Sequence, residues 1–178
     1  MAHSILYHIA LGSNLGDRLA HLQAGVQGIG ALADTRLLSV SSVWETAAHL
    51  LPGNPPQPAY FNAVLGCKTP IAPDIMLQHL LEIERMNGRQ RDTDEAWQPR
   101  TLDLDILSAG SQRVDSENLT LPHPRLGQRR FVLEPFAEIA PRAFLPSPFE
   151  ATVAYLLSIC DDVSSVVRTP HSLQLLAS

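Results

Sequence analysis

The stretch Trp97, Gln98, Pro99, Arg100, Thr101, Leu102, Asp103, Leu104, Asp105, Ile106 and Leu107 has the clearest capacity for chemistry in this chain. Its second half alternates, with Leu102, Leu104 and Ile106 on one side and Thr101, Asp103 and Asp105 on the other, the period of a half-buried strand. Two carboxylates therefore share a face. Same-face neighbours on a strand lie roughly 6.5 to 7 Å apart, so the two side chains can converge on cations held between them. Divalent ions about 3.5 to 4 Å apart clamp an in-line displacement at phosphorus, and hard oxygen ligands suit magnesium. Arg100 suits a phosphate, and Trp97 suits a base by stacking or packing over it. The plain alternative for an Asp-x-Asp pair alone is a strand with a solvated acidic face. The flanking arginine and tryptophan weigh against it.

A second pair of candidates stands at Tyr60 and Asn62, two apart on one face of an expected strand over Tyr60 to Thr69. An aromatic plate beside a carboxamide suits a flat heterocycle with donors and acceptors on its edge. The alternative is an ordinary sheet tyrosine and a turn-proximal asparagine. Before this strand, the segment from Ala47 to Ala59 holds Pro52, Pro55, Pro56 and Pro58, which restrict a loop and reduce the entropy lost when it covers a ligand.

Other elements must position these residues. Ile5 to Leu11 is expected to be a strand, followed by a turn over Gly12, Ser13, Asn14, Leu15 and Gly16 and by a helix opening near Asp17 with Leu19, Leu22, Val26 and Ile29 along its buried stripe. The glycine turn has no Walker lysine and no dinucleotide pattern, so it is expected to be a tight connection rather than a phosphate cradle. Thr35 to Thr46 suggests one strand, and Pro73 to Gly88 a helix whose apolar side is Ile75, Met76, Leu80, Ile83 and Met86. The charged connection from Arg89 to Ala96 precedes the aspartate strand. The order strand, helix, strand, strand, helix, strand implies a ferredoxin-like βαββαβ core of the α+β class, an antiparallel sheet with helices packed on it. Beyond it come an extended piece over Leu119 to Leu121, a helix opened by Arg129, Arg130 and Phe131 and ending before Pro141, a helix from Thr152 to Cys160, and a strand near Val163 to Arg168. The expected organisation is one domain over residues 1–178, with a core to residue 141 and a C-terminal extension over 142–178.

Composition narrows the partners. At 178 residues and 45% hydrophobic content the chain can bury one sizeable core. No apolar run approaches the ~20 residues of a membrane helix, so no membrane partner is expected. The formal net charge of −5 provides no overall positive field for a polyanion, which favours a small ligand over nucleic acid. Cys67 and Cys160 have no metal-type or disulfide-framework spacing, and the N-terminus carries no cleavable apolar segment, so cytoplasmic residence is expected.

In combination, the motifs resemble the 6-hydroxymethyl-7,8-dihydropterin pyrophosphokinase family of folate biosynthesis. The resemblance runs from Ala10-Leu11-Gly12-Ser13-Asn14-Leu15-Gly16 through Tyr60-Phe61-Asn62-Ala63 and Pro99-Arg100-Thr101-Leu102-Asp103-Leu104-Asp105 to Leu121-Pro122-His123-Pro124-Arg125 and Arg129-Arg130-Phe131-Val132-Leu133. It implies transfer of diphosphate from ATP to the hydroxymethyl oxygen of a reduced pterin, with release of AMP. Asp103 and Asp105 match the magnesium pair, for which two Mg2+ ions are expected; Arg91 and Arg100 join them as catalytic candidates. Glu84, Arg89, Arg91, Trp97, Arg100, Thr120, His123 and Arg129 match the ATP side. Tyr60 and Phe131 match the aromatic pair around the pterin, Asn62 its side-chain partner, and Thr46 and Ala47 the neighbouring backbone contacts. The chain departs from the family pattern at Ala96, where a basic residue is usual, at Gln98 in place of glycine, and at Asn118, where some relatives carry arginine. These departures motivate an alternative, a non-catalytic pterin or nucleotide binder on the same fold. A nucleotidyl transferase acting on nucleic acid is disfavoured by the net acidity. A monomer or weak homodimer is expected.

Overall fold

The computed structural model describes residues 4–48, 57–89 and 99–175; Arg91, Trp97, Ala96, Gln98 and most of the proline-rich segment lie outside the described residues. Strand β1 (Ile5–Ser13) occupies the middle of the main sheet, between β4 (Tyr60–Thr69) and β5 (Asp103–Ala109), and is antiparallel to both. Strands β2 (Arg36–Val40) and β3 (Ser42–Thr46) both pair with the far side of β4, and β10 (Val166–Ser172) adds to the outer edge of β3. Without β10, this is the antiparallel order expected of a ferredoxin-like core.

Several elements differ from the sequence expectation, two of the early strands among them. The single strand over Thr35 to Thr46 is broken at Ser41, because Ser41 turns its hydroxyl into the ladder. Val64 N–H donates to Ser41 Oγ at 3.0 Å while Ser41 N–H donates to Val64 O at 2.9 Å. Strand β1 runs two residues further than expected, so Gly12 and Ser13 belong to the sheet and the turn begins at Asn14. Gly16 has φ +67° in that turn, a conformation that suits glycine.

Helices α1 (Arg18–Gly30) and α2 (Pro73–Met86) cover one face of the sheet. Asp17 caps α1 by accepting from Ala20 N–H at 3.0 Å, and Leu22, Val26 and Ile29 are buried as their spacing required. On α2 the buried stripe is narrower than expected: Met76, Leu80 and Ile83 face the core, while Ile75 and Met86 are exposed and Glu84 is buried in their place. These helices enclose Tyr7, Ile9, Leu11, Leu102, Leu104 and Ile106 from the sheet.

The opposite face carries a second, smaller core. Helix α3 (Arg130–Ile139), preceded by a 3-10 turn at Leu126–Gln128, and α4 (Val153–Ser158) pack Leu133, Phe136, Val153 and Leu156 against Val64 and Leu107. Two short hairpins, β6 (Val114–Asp115) with β7 (Thr120–Leu121) and β8 (Phe144–Leu145) with β9 (Ala151–Thr152), complete the described chain. α4 starts one residue later than expected because Thr152 is its cap, accepting from Tyr155 N–H, and it ends at Ser158 rather than Cys160. Strand β10 begins later than Val163, after an irregular segment over 159–165. None of the described helices is long and apolar enough to cross a membrane.

Candidate active site

On the α3 side of the sheet, α3 and α4 leave the strand ends beyond their second core uncovered. The register sets Asp103 of β5 opposite Gly12 of β1, Gly12 opposite Asn62 of β4, and Asn62 opposite Trp44 of β3. Asp105 lies opposite Ala10, and Tyr60 opposite Thr46. One cavity is therefore floored by Ala10, Gly12, Tyr60, Asn62, Asp103 and Asp105 and walled by Thr46, Ala47, Gln57, Arg100, Arg129, Phe131 and Ser164. Gly12 is a site residue that the sequence suggested only as part of a turn. A Cβ there would stand 3.6 Å from Asn62 Oδ1 and 3.8 Å from Asp103 Cβ, filling the floor between the aromatic and the acidic halves.

The acidic half is held in a charged network. Arg100 Nη1 donates to Asp103 Oδ2 at 2.8 Å, and Arg89 Nη1 is paired with Asp103 Oδ1. Arg89 also pairs at 2.5 Å with Glu84, whose Oε1 in turn accepts from Leu104 N–H at 2.8 Å. Thus Glu84 and Arg89 form a second layer behind Asp103 and do not line the cavity. Burial opposes the ionisation of Asp103, but Arg100 and Arg89 overcome it and hold the carboxyl below its ordinary range. Asp105 shows the reverse: burial, and then the charge of Asp103, push it up to about 6. The two carboxylates do not stand on an open solvated face, as the strand pattern alone would allow. They form the floor of a pocket.

A cation fits this donor set. Among the described residues no group of three or more His, Cys, Asp or Glu side chains lies close enough to hold a metal ion. An ion here would rest on Asp103 and Asp105 and take its remaining hard oxygen ligands from phosphate and water, the habit of magnesium rather than of zinc. Its positive charge would also offset the burial and the Asp103 charge that push Asp105 up.

The aromatic half holds Tyr60, Asn62 and Phe131. Asn62 Nδ2 donates to Thr46 Oγ1 at 3.0 Å, which fixes the carboxamide with its oxygen towards Gly12. Burial raises the Tyr60 hydroxyl, so it stays protonated. Phe131 is the second residue of α3, and Arg129, at the helix cap, has its guanidinium carbon 5.7 Å from the Phe131 ring centroid.

Nine expected residues thus meet in one cavity: Thr46, Ala47, Tyr60, Asn62, Arg100, Asp103, Asp105, Arg129 and Phe131. His123 lies outside the lining but near it; its N–H donates to Leu107 O at 3.0 Å, and burial followed by Arg129 and Arg125 lowers its pKa to about 4. Thr120 is exposed on β7 and is not among the residues that line the cavity. Arg91 and Trp97 fall outside the described residues.

Asn14 was missed as a functional residue. Its Oδ1 accepts from Arg100 N–H at 2.8 Å, its own N–H donates to Arg100 O at 3.1 Å, and its Nδ2 donates to Gln57 Oε1 and Pro58 O. One buried amide therefore ties the aspartate stretch to the segment before Tyr60. The only hint in the sequence was an Asn in a glycine turn.

The family model for 7,8-dihydro-6-hydroxymethylpterin-pyrophosphokinase matches residues 8–141. Curated relatives carrying the name 2-amino-4-hydroxy-6-hydroxymethyldihydropteridine pyrophosphokinase include one from Synechocystis, 39% identical over 75% of this chain and 65% of its own length. Another from Haemophilus influenzae is 39% identical over 80% of this chain and 86% of its own length, and one from Pseudomonas aeruginosa is 41% identical over 78% and 83%. A crystal structure of a Plasmodium falciparum HPPK-DHPS triple mutant superimposes with a TM-score of 0.66 at 13% identity, covering 88% of this chain and 44% of that one. That likeness bears on the fold alone, and this chain spans under half the length of the solved protein. With most of the sequence matched and the motifs gathered around one cavity, the chain belongs to the 7,8-dihydro-6-hydroxymethylpterin-pyrophosphokinase family.

Proposed function

We propose that this chain transfers diphosphate from ATP to the hydroxymethyl oxygen of 6-hydroxymethyl-7,8-dihydropterin and releases AMP. The observation that carries the reading is the division of a single cavity into a flat aromatic half and a charged half, with Gly12 leaving the passage between them open.

Tyr60 and Phe131 offer faces to the pterin ring, and the Asn62 carbonyl reads donors on its edge while Thr46 holds the amide in place. The hydroxymethyl group is then directed across Gly12 towards Asp103 and Asp105. Arg100 and Arg129 face the phosphate tail. They neutralise charge as it shifts from the attacked β-phosphorus to the leaving AMP. Arg89, His123 and Thr120, with Arg91 and Trp97 outside the described residues, complete the ATP side of this reading, and Glu84 anchors Arg89. Arg100 and Arg89 are bound to Asp103 in this structure, so a nucleotide would draw guanidiniums from a carboxylate to phosphate oxygens. Magnesium, two ions in this reading, would be held by Asp103 and Asp105 and would supply charge neutralisation on the phosphates and a lower pKa for the hydroxyl.

The same reading takes residues 1–178 as one domain, a monomer or weak homodimer in the cytoplasm, acting on small molecules rather than nucleic acid or membrane. The net charge of −5 supports the preference for small ligands. The test is incubation with ATP, magnesium and the hydroxymethyl-dihydropterin, with AMP and the pterin diphosphate followed by chromatography. Both products are expected in equal amounts. A protein that binds both substrates yet forms no AMP is a binder, and the catalytic reading fails.

A further inference from the structure

Helix α3 brings Phe131 and Val132 to the cavity wall in its first turn, with Arg129 at its cap, yet no side chain at that cap satisfies its first N–H groups. The partner comes from the far end of the chain. Asp162, 32 residues on, accepts from Arg130 N–H through Oδ2 at 2.9 Å. Its backbone oxygen accepts from Arg130 Nε at 2.7 Å, and Cys160 O accepts from Arg130 Nη2 at 3.1 Å. The other carboxylate oxygen, Oδ1, accepts from Ser164 N–H at 2.9 Å and from the Ser164 hydroxyl. Ser164 itself lines the cavity.

A single carboxylate thus fastens the start of α3 to the segment between α4 and β10, which lies beyond the region matched by the family model. Its negative charge sits at a helix N-terminus, where the backbone dipole favours it. We propose that Asp162 is a positioning residue for the pterin half of the cavity: acting through Arg130 and the first turn of α3, it sets Phe131 against Tyr60 and Asn62, and it holds Ser164 as part of the wall. This rests on the proposed function. A pocket for a flat ring depends on the spacing between its faces, so a first turn of α3 that shifts away weakens stacking on the ring and lowers affinity for it.

The experiment compares Asp162→Asn, Asp162→Ala and Ser164→Phe with the wild type, and uses the exposed neighbour Asp161→Asn as control. Pterin and magnesium-ATP affinities are measured by titration, KM and kcat by AMP release, and folding by thermal melting. Asp162→Asn keeps the side-chain shape but can no longer accept at both oxygens. We expect it to raise the pterin Kd and KM about tenfold with kcat held within about threefold, while Asp161→Asn leaves all values unchanged. Ser164→Phe leaves Asp162 in place and is expected to raise the pterin Kd at least as much by filling the cavity, with the melting temperature preserved. Should Asp162→Ala not fold, the other two variants carry the test. Folded Asp162→Asn with wild-type pterin Kd and KM overturns the proposal, as does a fall in kcat at constant KM, the mark of a smaller active fraction. Ser164→Phe with wild-type pterin affinity overturns the assignment of the wall. A wild-type protein that binds neither pterin nor magnesium-ATP overturns the function proposed above instead.

Discussion

Asp103 and Asp105 are two residues apart on one strand, yet their surroundings give them opposite electrostatic characters. Asp103 is compensated by Arg100 and Arg89, whereas Asp105 is disfavoured as an anion by burial and by Asp103 itself. Asparagine at either position is expected to lower turnover roughly a hundredfold or more, since each removes a charged oxygen from the phosphate end of the cavity. Stability separates the two. Asp103→Asn leaves two guanidiniums facing a neutral amide and is expected to cost about 1.5 to 3 kcal/mol, while Asp105→Asn relieves repulsion and does not lower the melting temperature of the metal-free protein. Melting curves in chelator beside turnover with magnesium check both; equal destabilisation would contradict the difference in environment. In the aromatic half, Asn62→Ala is expected to raise the pterin dissociation constant by more than that for ATP, because Asn62 shares β4 with Tyr60 and its amide is bonded to Thr46. Equal increases measured by titration would move Asn62 out of the pterin subsite.

At the level of elements, the site depends on connections between strand ends more than on any one strand. Asn14 leads from β1 towards α1, but its side chain serves the start of β5 and the segment before β4. Asn14→Ala is expected to destabilise the fold by about 1 to 3 kcal/mol, because it leaves the part-buried Arg100 N–H without its Asn14 acceptor. It should also lower kcat/KM for both substrates, since Arg100 and the approach to Tyr60 loosen together. Denaturant unfolding and steady-state kinetics test this; a loss confined to one substrate would show that Asn14 supports only one half. The sequence suggested that this turn was merely a connection. That reading did not include the bond between Asn14 and Arg100.

For the molecule as a whole, the smaller core carries a group whose protonation is linked to folding. His8 is buried there, with Nδ1 2.9 Å from Ser108 Oγ and its ring 4.6 Å from that of Phe136. Burial lowers its pKa from 6.5 to about 4. Between those values the unfolded chain binds a proton that the folded protein does not. Stability therefore falls as the pH drops from about 6.5 to about 4, by up to roughly 3 kcal/mol, and is unaffected by this group above that window. His123 is shifted in the same direction, so the variant difference is what isolates His8. His8→Asn is expected to flatten part of the acid limb in unfolding experiments from pH 4 to 7. Parallel wild-type and variant profiles would rule His8 out as a source of it.

The sequence by itself determined the types of most elements and the faces they bury. Alternation over Leu102 to Ile106 and helical spacing over Leu19 to Ile29 are local patterns, legible in a few consecutive residues. It also placed both aspartates on one face and grouped Tyr60 with Asn62. Only the tertiary structure decided that Gly12 would floor the cavity, that Glu84 would be buried behind Arg89, that Asn14 would grip Arg100, and that Asp162 would fasten the start of α3. The bonds that hold Glu84, Asp162 and Asn14 in these places reach 20, 32 and 86 positions along the chain. Their partners are set by sheet register and by which helix covers which face, and a repeating local pattern carries no information about a partner that far along the chain.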